Sequence, residues 1–512
     1  MQGTFWALVP PIVAIVLALV TKEVYSSLFI GIIVGGLFYS GFNFEGTMNH
    51  IFSDGLIASL ADPYNVGIII FLVFLGIIVA LMNKAGGSAA FGNWASEHIK
   101  TRVGAQLATV LLGCLIFIDD YFNCLTVGSV MRPVTDRHNV SRAKLAYLID
   151  ATAAPVCIIA PISSWAAAVS AFAPEGTNGL MLFVRAIPYN YYALLTILMM
   201  ICLTVTKIDY GPMAKHEKNA LNGDIFTVKS DQTAVENKVT GKGKVIDLLL
   251  PVVVLIIACV IGMIYSGGFF TGETFIDSFA NSDASVGLVL GSFCALVLTI
   301  VFYVVRKVLP FKECMNCITV GFNAMVPAIC ILALAWTLKG MTDSLGAREF
   351  VAGIVQQSAG SLLNFLPAIV FLIACFMAFA TGTSWGTFGI LIPICLNVFP
   401  LESGNPLAVI CVSACMAGAV CGDHCSPISD TTIMSSAGAQ CDHMAHVSTQ
   451  LPYAVTAAAV SFLAYIIAGF TGNPVIPIVA GIVLLIGVIL VLRYVIRSNS
   501  NDGEDSGRSE AG

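Results

Sequence analysis

Charge is what this sequence has least of. Only 24 Lys/Arg and 30 Asp/Glu occur in 512 residues, or 11%, where a soluble domain carries roughly 25%. That scarcity excludes an ordinary water-facing surface, and a mean hydropathy of +0.89 agrees. No Lys/Arg cluster is interleaved with aromatics, which excludes nucleic acid as a partner. The first apolar run, 5–20, has no basic n-region before it and no small-residue cleavage site after it, so it is expected to stay as a membrane helix. Metal-ligand spacing is also missing. Cys314 and Cys317 form a CxxC without a second pair, and Cys421, His424 and Cys425 lack a fourth ligand. The 16 cysteines lie mostly inside apolar runs, where they read as small packing residues. No cofactor is expected beyond coupled ions.

What is present is a series of apolar runs of membrane-spanning length, about 20 residues each. Uninterrupted runs cover 5–20, 25–42, 65–83, 188–206, 245–265, 287–305, 322–338, 450–469 and 475–493. Four more are broken by polar clusters: 103–133 at Asp119–Asn123, 142–173 near Asp150–Pro161, 361–400 at Thr381–Thr387, and 406–436 at Gly422–Thr432. The lipid bilayer is therefore the first partner. Basic residues set the orientation. Lys207, Lys215, Lys218, Lys229, Lys238, Lys242 and Lys244 put the polar loop 207–244 inside; the stretches 43–64 and 266–286 carry acidic charges only and belong outside. Both ends of 103–133 are basic, so that segment reads as a re-entrant hairpin.

The same order of segments recurs in 5–206 and 245–469, starting from opposite sides. The expected fold is an all-α polytopic membrane protein of two inverted repeats, with about eleven transmembrane helices, two re-entrant hairpins and discontinuous helices. The expected divisions are a first repeat at 1–206, a cytoplasmic loop at 207–244, a second repeat at 245–469, an extra C-terminal helix at 470–497 and a disordered tail at 498–512.

Ionisable groups inside a membrane are costly and are functional suspects. Here they concentrate at the breaks: Asp119 and Asp120 at the first hairpin tip, Asp150 in the first broken helix, Asp423 and Asp430 in the second. Hydroxyls and amides accompany them: Asn123, Thr152, Ser163, Ser164, Thr381, Thr383, Ser384, Ser426, Ser429, Thr431 and Thr432. Carboxylate, hydroxyl and freed carbonyl oxygens are the ligand set of hard cations such as sodium. Half-helix N-termini at the same breaks suit an organic anion. His443 and His446 are expected as loop residues, with pH sensing by either as the alternative. Gly382-Thr-Ser384-Trp-Gly386 is also a literal G-x-S-x-G, which with His424 and Asp430 would describe a membrane serine hydrolase. That elbow requires a strand-to-helix turn, and this one lies between two helical runs.

Ala380-Thr-Gly-Thr-Ser-Trp-Gly-Thr-Phe-Gly, Gly422-Asp-His-Cys-Ser-Pro-Ile-Ser-Asp-Thr-Thr and Phe117-Ile-Asp-Asp-Tyr-Phe-Asn resemble the NhaC family of sodium/proton antiporters. The resemblance runs from about residue 5 to 495. It implies a secondary transporter of the inner (plasma) membrane and no enzyme. Family members include sodium/proton antiporters and malate/lactate exchangers, and some relatives carry amino acids. The wider superfamily implies a scaffold, a moving transport domain and a homodimer. The expected activity is exchange of sodium for protons, with Asp423 and Asp430 binding sodium and Asp119 or Asp120 and Asp150 sharing in cation or proton binding. The alternative is sodium- or proton-coupled transport of a small organic acid or amino acid. A channel is a third reading, which mirrored hairpins argue against.

Overall fold

A computed structural model of the chain describes residues 2–21, 23–117, 120–161, 163, 165–166, 169, 179–228, 243–347, 349–350, 353, 363–401 and 404–509. Asp119 and Ser164 lie outside the described residues. Within these residues the protein is helical, with no strand.

The main helices in chain order are α1 (Val9–Thr21), α2 (Val24–Ser40), α3 (Pro63–Ala85), α4 (Gly87–His98), α5 (Arg102–Leu115), α6 (Asp120–Arg137), α7 (Arg142–Asp150), α8 (Tyr191–Thr206) and α9 (Pro212–Leu221). The second half adds α10 (Ile246–Ser266), α11 (Ala284–Val305), α12 (Phe311–Ser344), α13 (Leu366–Thr381), α14 (Ser384–Val398), α15 (Pro406–Cys425), α16 (Asp430–Ala439), α17 (His443–Thr471) and α18 (Val475–Ser509). The last of these carries on into the polar tail. Local sequence explains the starts. Asp62 caps α3 by accepting from the backbone N–H groups of Tyr64 and Asn65, with Pro63 at the first turn. Ser141, Asn405 and Asp442 cap α7, α15 and α17 in the same way.

Among the described residues seven helices are long and apolar enough to cross a bilayer, or nine when each bent pair is one span. The expected crossings at 5–20 and 25–42 are shorter apolar helices. The protein is an all-α, multi-pass membrane protein. Several details differ from the sequence expectation. The stretch expected as an outer loop, 43–64, forms Phe44–Asn49, a π-helix His50–Ile57 and Ala58–Ala61. The segment expected as a plain helix over 188–206 belongs to a pair bent by 51° at Asn190. The helix expected over 322–338 extends to 34 residues and bends by 42° at Pro327, where the chain lacks an N–H donor.

Two bodies organise the packing. In the first, α1 packs on α2 and α10 on α11, α3 lies on α11 and α12 on α2, and α3 meets α12. In the second body the hairpins α5–α6 and α13–α14 clasp the broken helices: α13 and α14 hold α15, and α6 and α7 hold α16. The approach is close enough to require glycine. A Cβ on Gly113 of the first hairpin would fall 2.1 Å from the Thr152 hydroxyl. A Cβ on Gly382, the turn of the second hairpin at φ +65°, would fall 2.5 Å from the Ile428 carbonyl oxygen. The first hairpin therefore touches the first break at Gly113, and the turn of the second touches the second break at Gly382.

Candidate functional site

The first break follows α7. The helix ends at Asp150, and Pro155 sits inside the single turn Ala154–Cys157 that follows. Asn123 of the hairpin stitches the region together. Its Nδ2 reaches the carbonyl oxygens of Gly113, Ile116 and Thr152 at 2.7, 2.8 and 3.2 Å. Asp120 opens α6 and is buried. Thr152 donates to the Leu148 carbonyl at 2.8 Å and Ser163 to the Cys157 carbonyl at 2.8 Å, so these hydroxyls satisfy their own backbone.

The second break lies between Cys425 and Asp430. Ser426 donates to the Phe379 carbonyl at 2.7 Å, tying the break to the second hairpin. Ser429 caps α16 by accepting from the backbone N–H of Thr432 at 3.4 Å, and its hydroxyl lies 3.0 Å from that of Thr431. The Thr431 N–H donates to Asp430 Oδ1 at 2.8 Å. The carboxylate thus sits at the positive end of α16, where its charge is favoured. At the other end of α16, Arg142 donates to the Ala439 carbonyl at 2.7 Å while holding Asp136 at 2.7 and 2.8 Å.

Three carboxylates meet across these breaks. Asp423 Oδ2 accepts from the backbone N–H and the hydroxyl of Ser384 at 3.1 and 2.8 Å. Asp430 Oδ2 accepts from the Tyr121 hydroxyl at 2.6 Å. Asp150 Oδ2 accepts from Thr432 at 3.1 Å and from Gln450 Nε2 at 2.9 Å. The bonds to Asp150 and Asp430 join residues about 300 positions apart, one from each half of the chain. Asp150 and Asp423 are buried, and the second oxygen of each has no hydrogen-bond partner among the described residues. The charge of Asp430 repels both of the others. No Lys or Arg forms an ion pair with any of the three among the described residues.

A cavity of about 480 Å³ opens onto this cluster between the two bodies. Asp430, Tyr121, Thr381 and Thr383 form its inner wall; Tyr64, Trp336 and Lys339 line the opposite side. Thr381 donates to the Met377 carbonyl at 2.8 Å, whereas the Thr383 side chain caps no backbone group.

Sequence reasoning passed over several of these partners. His443 and His446, expected in a loop, lie in the first turn of α17, and His446 is fully buried. Its Nε2 is 3.7 Å from Asp150 Oδ2, and that of His424 is 4.0 Å away. Tyr192 Oη lies 2.8 Å from His424 Nδ1. The spacing of His443, His446 and Gln450 places all three on one helix face, which is the signal that was there to find. The hydrolase reading fails on geometry. Ser384 begins α14 directly after the Gly382 turn that ends α13, and no strand precedes it. Its hydroxyl donates to Asp423 and meets no histidine.

A model of the Na+/H+ antiporter family matches residues 175–470, more than half of the sequence and all of the second hairpin and second break. The chain belongs to the Na+/H+ antiporter family. It is a secondary transporter and not an enzyme. An uncharacterized protein of Haemophilus influenzae is 39% identical over 513 residues, covering 96% of each chain. The malate-2H(+)/Na(+)-lactate antiporter of Bacillus subtilis is 28% identical over 207 residues, 36% of this antiporter-family chain and 42% of that protein. A solved structure of Neisseria gonorrhoeae MtrF, from a class of antimetabolite efflux pumps, overlaps 83% of this chain and 84% of its own at 12% identity. Its TM-score is 0.34.

Proposed function

We propose that the protein exchanges sodium for protons, with Asp423 and Asp430 flanking the second break as the sodium carboxylates and Asp150 as the proton carboxylate. The observation that carries this reading is the set of three carboxylates gathered from both halves of the chain with hydroxyl and amide donors and, among the described residues, no Lys or Arg ion pair. Desolvated carboxylates without a fixed countercharge are expensive. A mobile cation removes that cost, and Asp423 Oδ1 keeps free lone pairs for it. Because Asp430 repels Asp150 as well as Asp423, sodium at one position weakens the hold on a proton at the other. Mutual displacement is the condition for antiport. The family's description and the name of the Bacillus subtilis relative support sodium and protons as the coupled ions.

The test is a sodium gradient imposed on proteoliposomes with a pH-sensitive dye inside. Asp430→Asn is expected to abolish sodium-dependent proton movement, and native exchange in that variant overturns the assignment.

A second reading, coupled exchange of a small organic acid or amino acid, is favoured by one observation. The cavity beside Asp430 is far larger than a bare ion needs, and it holds Lys339, Trp336, Trp385 and Thr383. A thermal-shift series of sodium against malate, lactate and amino acids separates the two, since a specific ligand stabilises by mass action.

A further inference from the structure

His443, Ser436 and His446 form a row between the surface and Asp150 that the exchange scheme above does not use. His443 is partly exposed at the first turn of α17; His446 is fully buried one turn on. The Nδ1 atoms of both rings point at one hydroxyl, Ser436 Oγ, at 3.0 and 2.8 Å. On the far side, His443 Nε2 is 2.8 Å from the Pro427 carbonyl oxygen. His446 Nε2 is 2.9 Å from Gln450 Oε1 and 3.7 Å from Asp150 Oδ2.

The hydrogens in this row can be counted. A carbonyl oxygen only accepts, so His443 Nε2 carries a hydrogen. Gln450 Nε2 faces two acceptors, the His424 carbonyl at 2.5 Å and Asp150 Oδ2 at 2.9 Å. That fixes the amide orientation and turns Oε1 toward His446, whose Nε2 therefore also carries a hydrogen. If both rings were neutral, both Nδ1 atoms would be acceptors facing Ser436. The hydroxyl has one hydrogen, and the Thr432 carbonyl at 2.8 Å competes for it. A proton on one ring lets its Nδ1 donate to Ser436 instead, and that ring then holds two hydrogens.

We propose that His443 and His446, bridged by Ser436, hold one shared proton and deliver it to Asp150, which deepens the sodium/proton reading and rests on it. When the charge is on His446, its Nε2–H is the hydrogen nearest the carboxylate. The proton passes from Nε2 to Asp150 Oδ2, leaving a neutral ring that keeps its Nδ1 hydrogen. The ring then turns, so that its bare nitrogen faces Ser436 and takes up the next proton, which His443 relays through that hydroxyl from water; no electrons change hands. The titratable groups facing the pair are Asp150 on α7, His424 on α15 and Asp442, the cap of α17.

The experiment uses the full chain in lipid nanodiscs with ¹⁵N-labelled histidine. His443→Gln and His446→Gln assign the two rings among the seven histidines. At pH 7 the expected spectrum shows one imidazolium's worth of proton shared by the pair. Two neutral imidazoles overturn the proposal whatever ion is carried. In proteoliposomes, His446→Gln is expected to lower proton-coupled sodium flux ~100-fold, the low end of what a positioned proton donor contributes. Sodium/sodium exchange, which moves no proton, should fall far less than the coupled flux, and an equal loss of both overturns the delivery role. Unchanged coupled flux in both histidine variants removes the delivery role. Should the native protein move no protons against sodium, the proposed function falls, and the ¹⁵N spectrum still decides the shared proton.

Discussion

Asp423 takes two hydrogen bonds from a single residue, Ser384, whose backbone N–H and hydroxyl lie 3.1 and 2.8 Å from Oδ2. The pair joins the second hairpin tip to the second broken helix at the level of the carboxylate. It holds one oxygen in place and leaves Oδ1 without a hydrogen-bond partner among the described residues. Ser384→Ala removes the hydroxyl and keeps the N–H. A hydrogen bond to a charged group contributes about 1.5 kcal/mol, so sodium affinity should fall ~10-fold. Sodium titration of the variant by thermal shift checks this. An unchanged affinity would mean that Asp423 is not a sodium carboxylate.

Gly382 permits that contact. Its φ of +65° lies in the left-handed region, and a Cβ there would meet the Ile428 carbonyl oxygen at 2.5 Å. Gly382→Ala should therefore destabilise the protein by about 1–3 kcal/mol and separate the hairpin tip from the break. At Gly386 an added Cβ meets only the Thr383 methyl at 3.3 Å. Gly386→Ala is the control, expected to keep the native melting temperature and transport rate.

The breaks were legible because apolar periodicity fails there and carboxylates, prolines and hydroxyls fill the gap. Asp150, Asp423 and Asp430 stand out in such gaps, and the structure brings them together. Their partners were not legible for a physical reason. Tyr121, Gln450 and His446 lie within helices, and each gains its meaning only by approaching a residue far away in the chain, as Gln450 does Asp150. Thr152, Ser163 and Thr381 donate to backbone carbonyls within a few residues, a habit of Ser and Thr in helices that sequence does not distinguish from ligand binding. The bends at Asn190 and Pro327 escaped notice because the apolar runs continue through them.

Glu217, on the amphipathic helix α9 outside the spans, offers a pH signature. It is buried, accepts from the backbone N–H of Ser141 at 2.9 Å and pairs with Arg102. Burial pushes its carboxyl up from the ordinary 4.5, and Asp209 adds to this, while Lys144 and Arg102 pull the other way. The folded state then binds this proton more tightly than the unfolded chain. Its contribution to stability is complete below the unfolded value and is lost as pH rises through the folded one. Glu217→Gln removes that contribution. The melting temperature of the variant minus that of the native protein should become more negative as pH is lowered from about 8 to about 5. A difference that does not move with pH contradicts the burial effect.

Lys339 separates the two substrate readings. It lines the cavity with Asp430, and its charge acts on that carboxylate without an ion pair between them. For a sodium ion approaching Asp430, Lys339 is a fixed competitor of like sign. Two unit charges several ångströms apart at an effective dielectric near 20 interact by about 2 kcal/mol, reduced by water in the cavity. Lys339→Gln should therefore raise sodium affinity several-fold rather than lower it. For an organic acid the sign reverses. Lys339 is the cation on the cavity wall, facing the Thr383 side and the start of α14, and without it a carboxylate should lose roughly 10-fold or more in affinity, as for other charge-assisted contacts. Thermal-shift titrations of native protein and variant with sodium, malate and lactate read both signs in one experiment. Tighter sodium binding with no response to either acid supports cation exchange alone. Loss of an acid response that the native protein shows makes Lys339 the residue that selects the organic substrate.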